Sequence, residues 1–404
     1  MTSPGSGAGT TRVTAGSWCT AGPAGVTEVT GPVAVGIADG RITAVETVAA
    51  VDLDPGATDL VLVPGFVDLQ VNGVGAVDFA TADPAAWADA LAAQLRTGTT
   101  SCCPTFVTAS LDAYAPWLER LGHARDGAAA APGTRASILG AHLEGPFLGG
   151  APGAHPGGLI RTAGPRDVDW LRALLEAAPR RVQVMTIAPE ADPDGALTAL
   201  LLEHGVTVAI GHSSSAYEVA VSAADRGARL VTHLFNAMSP LHHRAPGVAG
   251  AALDDDRLTP SLIADLVHVH PVALRAAIAR KRNVALVTDA VAADAGTVGG
   301  VTLREQDGAA RLADGTLAGS VLTMAQAVRN VVGLGVPLAR AVEMAATVPC
   351  EVLGLTDRGR LAVGARADLV ALDRETLAVR AVWHAGIRVT FPPPPGGRGR
   401  GMGR

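Results

Sequence analysis

The middle of the chain alternates between short apolar runs and longer stretches with the mixed pattern of surface helices. Helix-like stretches such as Pro84–Arg96 and Val272–Arg280 separate most of the apolar runs. Eight runs have the length of buried strands: Val61–Gln70, Thr99–Phe106, Ile138–Phe147, Val182–Ala188, Thr207–His212, Leu230–Phe235, Ser261–Val267 and Val284–Ala290. Buried strands that alternate with helices are typical of an α/β protein with a parallel sheet, and eight of them predict a closed (β/α)₈ barrel of the TIM type.

Both ends of the chain carry a different pattern, in which short strand-like runs are joined by turns. Gly40 marks a hairpin between Val33–Ala38 and Arg41–Val45. Comparable runs and turns return at residues 359–373 and 381–389. The similar patterns predict that the two ends pair with each other.

These patterns divide the chain into four predicted regions. Residues 1–62 and 356–391 bracket the barrel, which we place at residues 63–355, and we expect the two ends to form one small β-sandwich domain. Residues 392–404 are mostly Pro, Gly and Arg, and this composition predicts a disordered tail.

Composition and charge narrow the class of protein. With 48% apolar and 17% charged residues, the chain has the composition of a globular enzyme. Its net charge of −6 gives no reason to expect nucleic acid as a partner, and no apolar run reaches the ~18 residues of a membrane span. The cysteines lack metal-binding spacing, and residues 1–11 lack the apolar segment of a secretion signal. We therefore expect reduced thiols and a cytoplasmic location.

Several polar side chains fall at or just after the carboxyl ends of the predicted strands. They are Gln70, Asn72, Glu144, His212, His233, His268 and Asp289. In a barrel enzyme, the active site is built on that rim from strand ends and loops. A single histidine beside a strand is more often structural than functional, but the joint placement of these residues favours a functional site.

Glu144, His212 and His233 together predict a metal site. One carboxylate oxygen and two imidazole nitrogens suit Zn²⁺ with a fourth position open for water, and Fe²⁺, Mn²⁺ or Co²⁺ can use the same ligands. Asp289 would be the general base and acid, taking a proton from water and returning it to a leaving amine. The alternative interpretation is a structural hydrogen-bond network of two histidines and a glutamate.

Six short sequence strings contain or adjoin most of these candidates: Pro64-Gly-Phe-Val-Asp-Leu-Gln-Val-Asn-Gly73, His142-Leu-Glu-Gly-Pro-Phe147, Gly211-His-Ser213, Thr232-His-Leu-Phe-Asn-Ala-Met238, Val287-Thr-Asp-Ala290 and Gly315-Thr-Leu-Ala-Gly-Ser320. From about Val61 to Pro349, and in this order, they resemble the N-acetylglucosamine-6-phosphate deacetylase family of the amidohydrolase superfamily. The resemblance implies metal-dependent hydrolysis of N-acetyl-D-glucosamine 6-phosphate to D-glucosamine 6-phosphate and acetate. That reaction belongs to amino-sugar catabolism and cell-wall recycling.

The resemblance also implies a role for each matching residue. Glu144, His212 and His233 look like the metal ligands, and Asp289 looks like the catalytic acid and base. The substrate contacts would be His155, Asn236, Ala237, His268, Leu317, Ala318 and Gly319. Arg244 looks like a phosphate anchor, which in this family can reach the site from the partner subunit, so the resemblance implies a homodimer.

Two departures from related sequences affect this interpretation. Many amidohydrolases bind a second metal through His-x-His at the first strand, where this chain has Gln70 and Asn72, neutral amides that are poor metal ligands. Binuclear members often bridge their metals with a modified lysine, but Lys281 ends a helix pattern. Both observations predict one divalent metal per chain. Leu266 stands where the family usually has Gly, and its side chain could crowd the sugar near His268.

Two rival functions are weighed against the deacetylase. Another hydrolase or deaminase of the same superfamily would share the fold, which by itself does not exclude it. Asn236, Ala237 and Arg244 favour a phosphosugar over such substrates. A non-catalytic scaffold would explain the missing His-x-His, but a complete ligand set together with Asp289 argues against it.

Overall fold

The structure is a computed structural model that describes residues 11–22, 25–298 and 301–390. The disordered tail predicted for residues 392–404 lies outside the described residues. Within them, no helix is both long and apolar enough to cross a membrane. The four cysteines, Cys19, Cys102, Cys103 and Cys350, are free and buried, as the sequence predicts.

The N-terminal region builds most of the small β domain. Its strands are β1 (Thr11–Gly22), β2 (Gly25–Ala38), β3 (Arg41–Thr47) and β4 (Leu60–Pro64). β1 pairs antiparallel with β2 and parallel with β4. β2 and β3 are antiparallel around Asp39 and Gly40, whose φ angles are 51° and 72°. The hairpin predicted at Gly40 is therefore confirmed. Glycine suits the turn because it adopts this left-handed backbone without steric cost.

The strands that follow include the eight of the barrel, a separate two-stranded pair and one short strand beside the ring. In chain order they are β5 (Phe66–Val71), β6 (Gly73–Val74), β7 (Val77–Asp78), β8 (Thr99–Val107), β9 (Ser137–Ile138), β10 (Ala141–Glu144), β11 (Val182–Ile187), β12 (Thr207–Ile210), β13 (Leu230–Val231), β14 (Thr259–Ile263) and β15 (Ala285–Val287). β5, β8 and β10 to β15 pair in parallel, each with the next. Just beyond β15, Asp289 N donates to Gln70 O at 2.8 Å, and Asn72 N donates to Ala290 O at 2.7 Å. These bonds close the ring, so the predicted eight-stranded barrel is confirmed.

Helices cover the outside of the barrel: α1 (Pro84–Arg96), α2 (Tyr114–Ala130), α3 (Pro165–Ala177), α4 (Ala196–Glu203), α5 (Tyr217–Asp225), α6 (Gly247–Asp254) and α7 (Pro271–Arg280). α1 shows how the sequence produces them. The Asp83 side chain accepts a hydrogen bond from Ala86 N at 2.8 Å, which satisfies a free amide of the first turn. Trp87, Leu91 and Leu95 recur along one face of α1 and are buried. The helix is therefore anchored by its apolar face.

The remaining elements lead from the barrel back to the small domain: β16 (Thr297–Val298), β17 (Val301–Thr302), β18 (Arg304–Gln306), β19 (Ala309–Arg311), β20 (Leu317–Ser320), α8 (Met324–Gly333), α9 (Leu338–Val342), α10 (Val348–Val352), β21 (Leu369–Asp373), β22 (Val379–His384) and β23 (Ile387–Arg388). A π-helical turn, Glu343–Thr347, joins α9 to α10. Single 3₁₀ turns lie at Ala50–Asp52, Leu111–Ala113, Gly157–Leu159, Pro189–Ala191 and Ala293–Ala295.

The small domain is one sheet made from both chain ends, in the order β23-β22-β21-β4-β1-β2-β3. β21 joins the two ends by pairing antiparallel with β4. The sheet has its own buried core, which includes Ile37, Ile42, Leu369 and Trp383. The predicted β domain built from both ends is therefore confirmed.

Near the barrel mouth, Ser320 N at the end of β20 donates to Asp289 O at 2.9 Å.

The apolar run Val61–Gln70 does not form the single strand that its pattern predicts. It is divided at Gly65 between β4 of the small domain and β5 of the barrel. Gly65 N donates to Asp368 O at 2.9 Å. A Cβ atom on Gly65 would lie only 2.3 Å from Thr100 Oγ1. Glycine is therefore required where the chain passes from one sheet to the other.

We predict that Gly65→Ala lowers the free energy of unfolding by about 1–3 kcal/mol, because the added methyl group overpacks the contact with Thr100. Denaturant unfolding followed by circular dichroism measures the change. Gly333→Ala is the matched control, since a Cβ on this helical glycine meets nothing within 4 Å. An equal effect of the two substitutions would contradict the close-contact explanation.

Candidate active site

Three buried side chains converge at the carboxyl ends of the barrel strands. Glu144 ends β10, while His212 and His233 follow β12 and β13. Glu144 Oε1 lies 3.1 Å from His212 Nε2 and 3.0 Å from His233 Nε2, and the two imidazole nitrogens are 3.1 Å apart. Each residue exposes at most 4% of its surface. The three side chains therefore meet at one point that is shielded from bulk water.

The hydrogen position on His212 indicates that a cation fits this point. Its Nδ1 lies 3.2 Å from Ala151 O and 3.1 Å from Pro152 O. Both carbonyls are acceptors, so Nδ1 carries a hydrogen, and in the neutral ring Nε2 directs a lone pair at Glu144 Oε1. Two acceptors do not bond each other, but both can coordinate a cation. The ligand atoms of Glu144, His212 and His233 all lie within 4.8 Å of one another, and this donor set suits a divalent metal.

The ionisation state of Glu144 agrees with a role as a metal ligand. Burial raises the pKa of its carboxyl group, but hydrogen bonds and positive charge from the protonated rings of His212 and His233 outweigh burial and hold the pKa well below its ordinary value. A bound cation would act in the same direction. The group is therefore a carboxylate at neutral pH, which is the form that binds a metal.

The two amide side chains at the end of β5 contact carboxylates. Gln70 Nε2 donates to Glu144 Oε1 at 3.1 Å and to Asp289 Oδ1 at 3.1 Å. Asn72 Nδ2 donates to the same Asp289 oxygen at 2.8 Å. Both amides thus present hydrogens to the site, whereas a metal ligand must present a lone pair. In this arrangement Gln70 and Asn72 orient the carboxylates.

Asp289 has the proton affinity that acid–base chemistry needs. Burial, followed by the negative charge of Glu144, raises its pKa from 3.8 to about 7. A cation beside Glu144 would lower this pKa again, because it favours the carboxylate form. A carboxyl group that titrates near neutral pH can both accept and donate a proton.

A buried carboxylate that the sequence analysis missed supports the strand end before Asp289. Asp68 accepts hydrogen bonds from Thr288 Oγ1 at 2.5 Å and from Thr288 N at 3.1 Å. Gln70 N also donates to Asp68, at 3.2 Å. Burial raises the pKa of Asp68 to about 6, although the bonds from Thr288 oppose this rise. The sequence did contain a sign of this carboxylate, because a charged residue inside the apolar run of β5 must be buried with a hydrogen-bond partner.

The cavity above these residues has a volume of about 260 Å³. It brings together all of the predicted substrate contacts except one: its lining includes His155, Asn236, Ala237, His268, Leu317, Ala318 and Gly319. Glu144, His212, His233 and Asp289 lie in the same wall. The cavity therefore gives a small molecule access to the three converging side chains and to Asp289.

Two histidines of the cavity wall have fixed orientations. Thr108 N donates to His155 Nδ1 at 3.2 Å, so Nε2 carries the ring hydrogen; this Nε2 lies 3.8 Å from Glu144 Oε2. His268 Nδ1 lies 2.6 Å from Asp265 Oδ2. The sequence analysis missed Asp265, although a carboxylate three residues before a histidine in a loop is a recognisable partner.

The backbone is strained at the residues that project into the site. The φ angles of His212, His233 and Asp289 are 49°, 32° and 47°, in the region that side chains other than glycine rarely adopt. Such conformations cost about 1–3 kcal/mol each and persist where the surroundings enforce them. His233 N donates to Ser261 Oγ at 2.8 Å, and Asp289 N donates to Gln70 O at 2.8 Å. These bonds hold the strained residues in place.

Three residues discussed from the sequence lie apart from the converging side chains. Arg244 is exposed on the loop before α6 and does not line the cavity of its own chain. Lys281 is buried, and its Nζ donates to Asp255 O. Leu266 has a φ of 69° and is 38% exposed, so a leucine adopts the backbone that suits glycine. Lys281 is therefore engaged away from the site, as its helix position predicts.

Residues 61–390 match the family model described as the amidohydrolase family. The match covers most of the chain and includes the whole barrel and the converging side chains. The protein is therefore a member of the amidohydrolase family.

Individual relatives narrow the assignment. The N-acetylglucosamine-6-phosphate deacetylase of Danio rerio is 38% identical over 351 residues, which cover 81% of this chain and 84% of that protein. The N-acetylgalactosamine-6-phosphate deacetylase of Escherichia coli O157:H7 is 37% identical over 368 residues, or 88% and 94% of the two chains.

A solved structure with a similar fold is also an N-acetylglucosamine-6-phosphate deacetylase. It is a mutant of N-acetyl-D-glucosamine-6-phosphate deacetylase from Mycobacterium smegmatis in complex with N-acetyl-D-glucosamine 6-phosphate. It has a TM-score of 0.81 and 35% identity, and the match covers 94% of this chain and 100% of that one. Within the amidohydrolase family, the chain belongs with the N-acetylglucosamine-6-phosphate deacetylases.

We predict that Zn²⁺ raises the melting temperature of chelator-treated protein, because an ion that binds only the folded state stabilises it. The gain is about 2.7 kcal/mol when free ion is 100 times its dissociation constant. Scanning fluorimetry measures the shift. His212→Ala should remove most of it, whereas His243→Ala, in the exposed loop before α6, should keep it. Equal shifts in both variants would exclude His212 as a ligand.

Proposed function

We propose that the protein hydrolyses the N-acetyl group of N-acetyl-D-glucosamine 6-phosphate to give D-glucosamine 6-phosphate and acetate, in amino-sugar catabolism and cell-wall recycling. The observation that carries this proposal is the convergence of Glu144, His212 and His233 beside Asp289 in one cavity. The named relatives supply the substrate. We place the enzyme in the cytoplasm, where its free cysteines remain reduced.

Glu144, His212 and His233 would hold one divalent metal, with Zn²⁺ as our first choice and Fe²⁺, Mn²⁺ and Co²⁺ as ions that can use the same ligands. When bound, the metal would acidify a water molecule and polarise the amide carbonyl. We expect a single ion per chain, because Gln70 and Asn72 direct amide hydrogens at carboxylates.

Asp289 would move the proton. Gln70 and Asn72 both donate to its Oδ1, which leaves Oδ2 to take a proton from the attacking water. Asp289 then gives that proton to the nitrogen of the leaving amine, so the carbon–nitrogen bond breaks without forming an amide anion. Burial raises the pKa of Asp289, which favours return of the proton to the amine, while a bound cation would oppose this rise and favour the carboxylate that accepts the proton.

The cavity wall would bind the sugar. His155 presents its Nε2 hydrogen to the substrate, since Nδ1 accepts from Thr108 N. His268, which also lines the cavity and is held by Asp265, would contact the sugar too. The other proposed substrate contacts in the lining are Asn236, Ala237, Leu317, Ala318 and Gly319.

We also propose a homodimer in which Arg244 binds the phosphate in the neighbouring site. A phosphate needs a cationic partner, and guanidinium provides paired, charge-assisted hydrogen bonds. None of the described residues that line the cavity is a lysine or an arginine. Arg244 is exposed and outside its own cavity, which suits contribution to a second chain.

N-acetyl-D-galactosamine 6-phosphate is a second candidate substrate, because the Escherichia coli relative that acts on this sugar matches 88% of the chain. The two sugars differ only in the configuration at one hydroxyl-bearing carbon. A direct comparison of acetate release from both phosphosugars and from unphosphorylated N-acetylglucosamine tests the proposal. We expect the highest kcat/KM for the glucosamine derivative. No acetate release from either phosphosugar by metal-loaded protein would contradict the deacetylase proposal.

We predict that Asp289→Asn keeps the metal but loses about 10²-fold or more in turnover. An amide oxygen can still accept the hydrogen bonds from Gln70 and Asn72, but the amide cannot shuttle a proton. Elemental analysis and steady-state kinetics on the same sample separate the two effects. Near-normal turnover would remove Asp289 from the mechanism.

We predict that Arg244→Ala raises KM for the phosphosugar by roughly ten- to a hundredfold, because one hydrogen bond to a charged group contributes about 1.5–3 kcal/mol. Hydrolysis of unphosphorylated N-acetylglucosamine should barely change. Arg280→Ala is the matched control, since Arg280 is an exposed arginine paired with Asp254 on the surface. An equal loss for both sugars would show that Arg244 does not bind the phosphate.

Subunit mixing tests the shared site. When Asp289→Asn and Arg244→Ala subunits exchange, some mixed dimers gain a site in which both residues are intact, if Arg244 acts on its neighbour. Activity at low substrate concentration should then recover. If exchange is confirmed by mass spectrometry and activity stays low, Arg244 acts within its own chain.

A further inference from the structure

Glu190 accepts four hydrogen bonds from two loops of the active site. It lies in the 3₁₀ turn Pro189–Ala191 that follows β11. In the barrel, β11 lies between β10, which ends at Glu144, and β12, which His212 follows. Glu190 Oε1 accepts from Gly150 N at 3.3 Å and Ser214 N at 2.8 Å. Its Oε2 accepts from Ser213 Oγ and Ser215 Oγ, both at 2.6 Å. One carboxylate therefore connects both loops.

Both connected loops carry site residues. Residues 149–155 end at His155, and residues 211–215 contain His212. They are also joined directly, since Gly149 N donates to His212 O at 2.8 Å and His212 Nδ1 donates to Ala151 O and Pro152 O. The orientation of the His212 ring thus depends on where residues 149–152 lie. Glu190 is the group that holds those residues against residues 213–215.

The approach of the loops to Glu190 leaves no space for side chains. A Cβ atom on Gly149 would lie 1.9 Å from Glu190 Oε1, and one on Gly150 would lie 2.7 Å from Ser214 Oγ. A side chain at Gly149 would therefore displace the Glu190 carboxylate, and one at Gly150 would displace the Ser214 hydroxyl. Glu190 is half-buried, and Ser213 and Ser215, whose hydroxyls donate to it, are buried.

We propose that Glu190 is a positioning residue for the metal centre. By holding residues 149–152 in place, it keeps the carbonyls that accept the Nδ1 hydrogen of His212, and this bond directs the Nε2 lone pair toward Glu144 and His233. Direct partners of metal-bound histidines commonly contribute 10- to 100-fold to metal affinity or activity, and this range is the upper bound for a group that acts through the loop. The inference rests on the proposed metal site. In this role Glu190 acts through the position of His212 and does not need to contact the substrate.

The four hydrogen bonds differ in a way that allows a sharp test. Backbone amides can only donate, so Oε1 must remain an acceptor. Hydroxyl groups can donate or accept, so the group at Oε2 can be replaced by an amide NH₂ if Ser213 and Ser215 rotate their hydrogens. Glu190→Gln should therefore keep the junction, whereas Glu190→Ala removes it. Glu218→Ala is the matched control, because Glu218 is an exposed glutamate on the neighbouring α5.

The experiment measures the Zn²⁺ dissociation constant by competition with a chromophoric chelator, and the melting temperature of the metal-free protein. We expect Glu190→Ala to weaken Zn²⁺ binding by about 10-fold, the lower end of the range for direct partners, with turnover largely restored by excess Zn²⁺. Glu190→Gln should stay within a few-fold of the parent, and Glu218→Ala should equal it. Ser215→Ala removes one donor and should weaken binding by a smaller factor, which provides a second test if Glu190→Ala does not fold.

Three results would overturn the inference. An unchanged Zn²⁺ dissociation constant in Glu190→Ala, or in Ser215→Ala where Glu190→Ala does not fold, would show that the junction does not position His212. A lower melting temperature of metal-free Glu190→Ala with unchanged affinity would show a purely structural role. Equal weakening in Glu190→Gln and Glu190→Ala would show that charge matters instead of acceptor geometry. If the parent protein binds no divalent metal, the proposed centre itself is wrong, and this outcome is distinct from the other three.

Discussion

The site depends on the burial of an ionised carboxylate at a point where two imidazoles also meet. Removing an isolated carboxylate from water carries an effective penalty of several kcal/mol. Glu144 tolerates burial because the Gln70 amide donates to its Oε1 at 3.1 Å and because His212 and His233 meet the same oxygen at a point that suits a cation. With the His212 hydrogen on Nδ1, lone pairs converge on one centre, and a divalent cation is the partner that satisfies them.

The barrel makes this convergence possible because its strands all end at the same rim. Two carboxylates away from the substrate then secure the strand ends. Asp68 binds Thr288 beside Asp289, and Glu190 binds the serines that follow His212. Both are placed to oppose the backbone strain at the residues that enter the cavity. The geometry of the converging side chains thus depends on hydrogen bonds from residues outside the cavity as well as on the side chains themselves.

Apolar runs and strand-end polar residues were sufficient to predict the barrel, the small domain, the converging side chains and Asp289, whereas most of the predicted substrate contacts came from the family resemblance. They were not sufficient at Val61–Gln70, because periodicity shows that a run is buried but not which sheet contains it. Glu190 follows a proline and looks like a surface charge, and only the fold brings it against Gly150 and Ser214. Local sequence patterns predict neither contacts between loops that are distant in the chain nor the subunit to which Arg244 would contribute.

We propose that Glu144, His212 and His233 hold one divalent metal while Gln70 and Asn72 act as hydrogen-bond donors. The most direct test is the metal content of purified protein, measured by elemental analysis on samples of known deacetylase activity. We expect activity that rises in proportion to the metal content and saturates at one ion per chain. Saturation at two ions per chain, or full activity in protein stripped of metal, would contradict it.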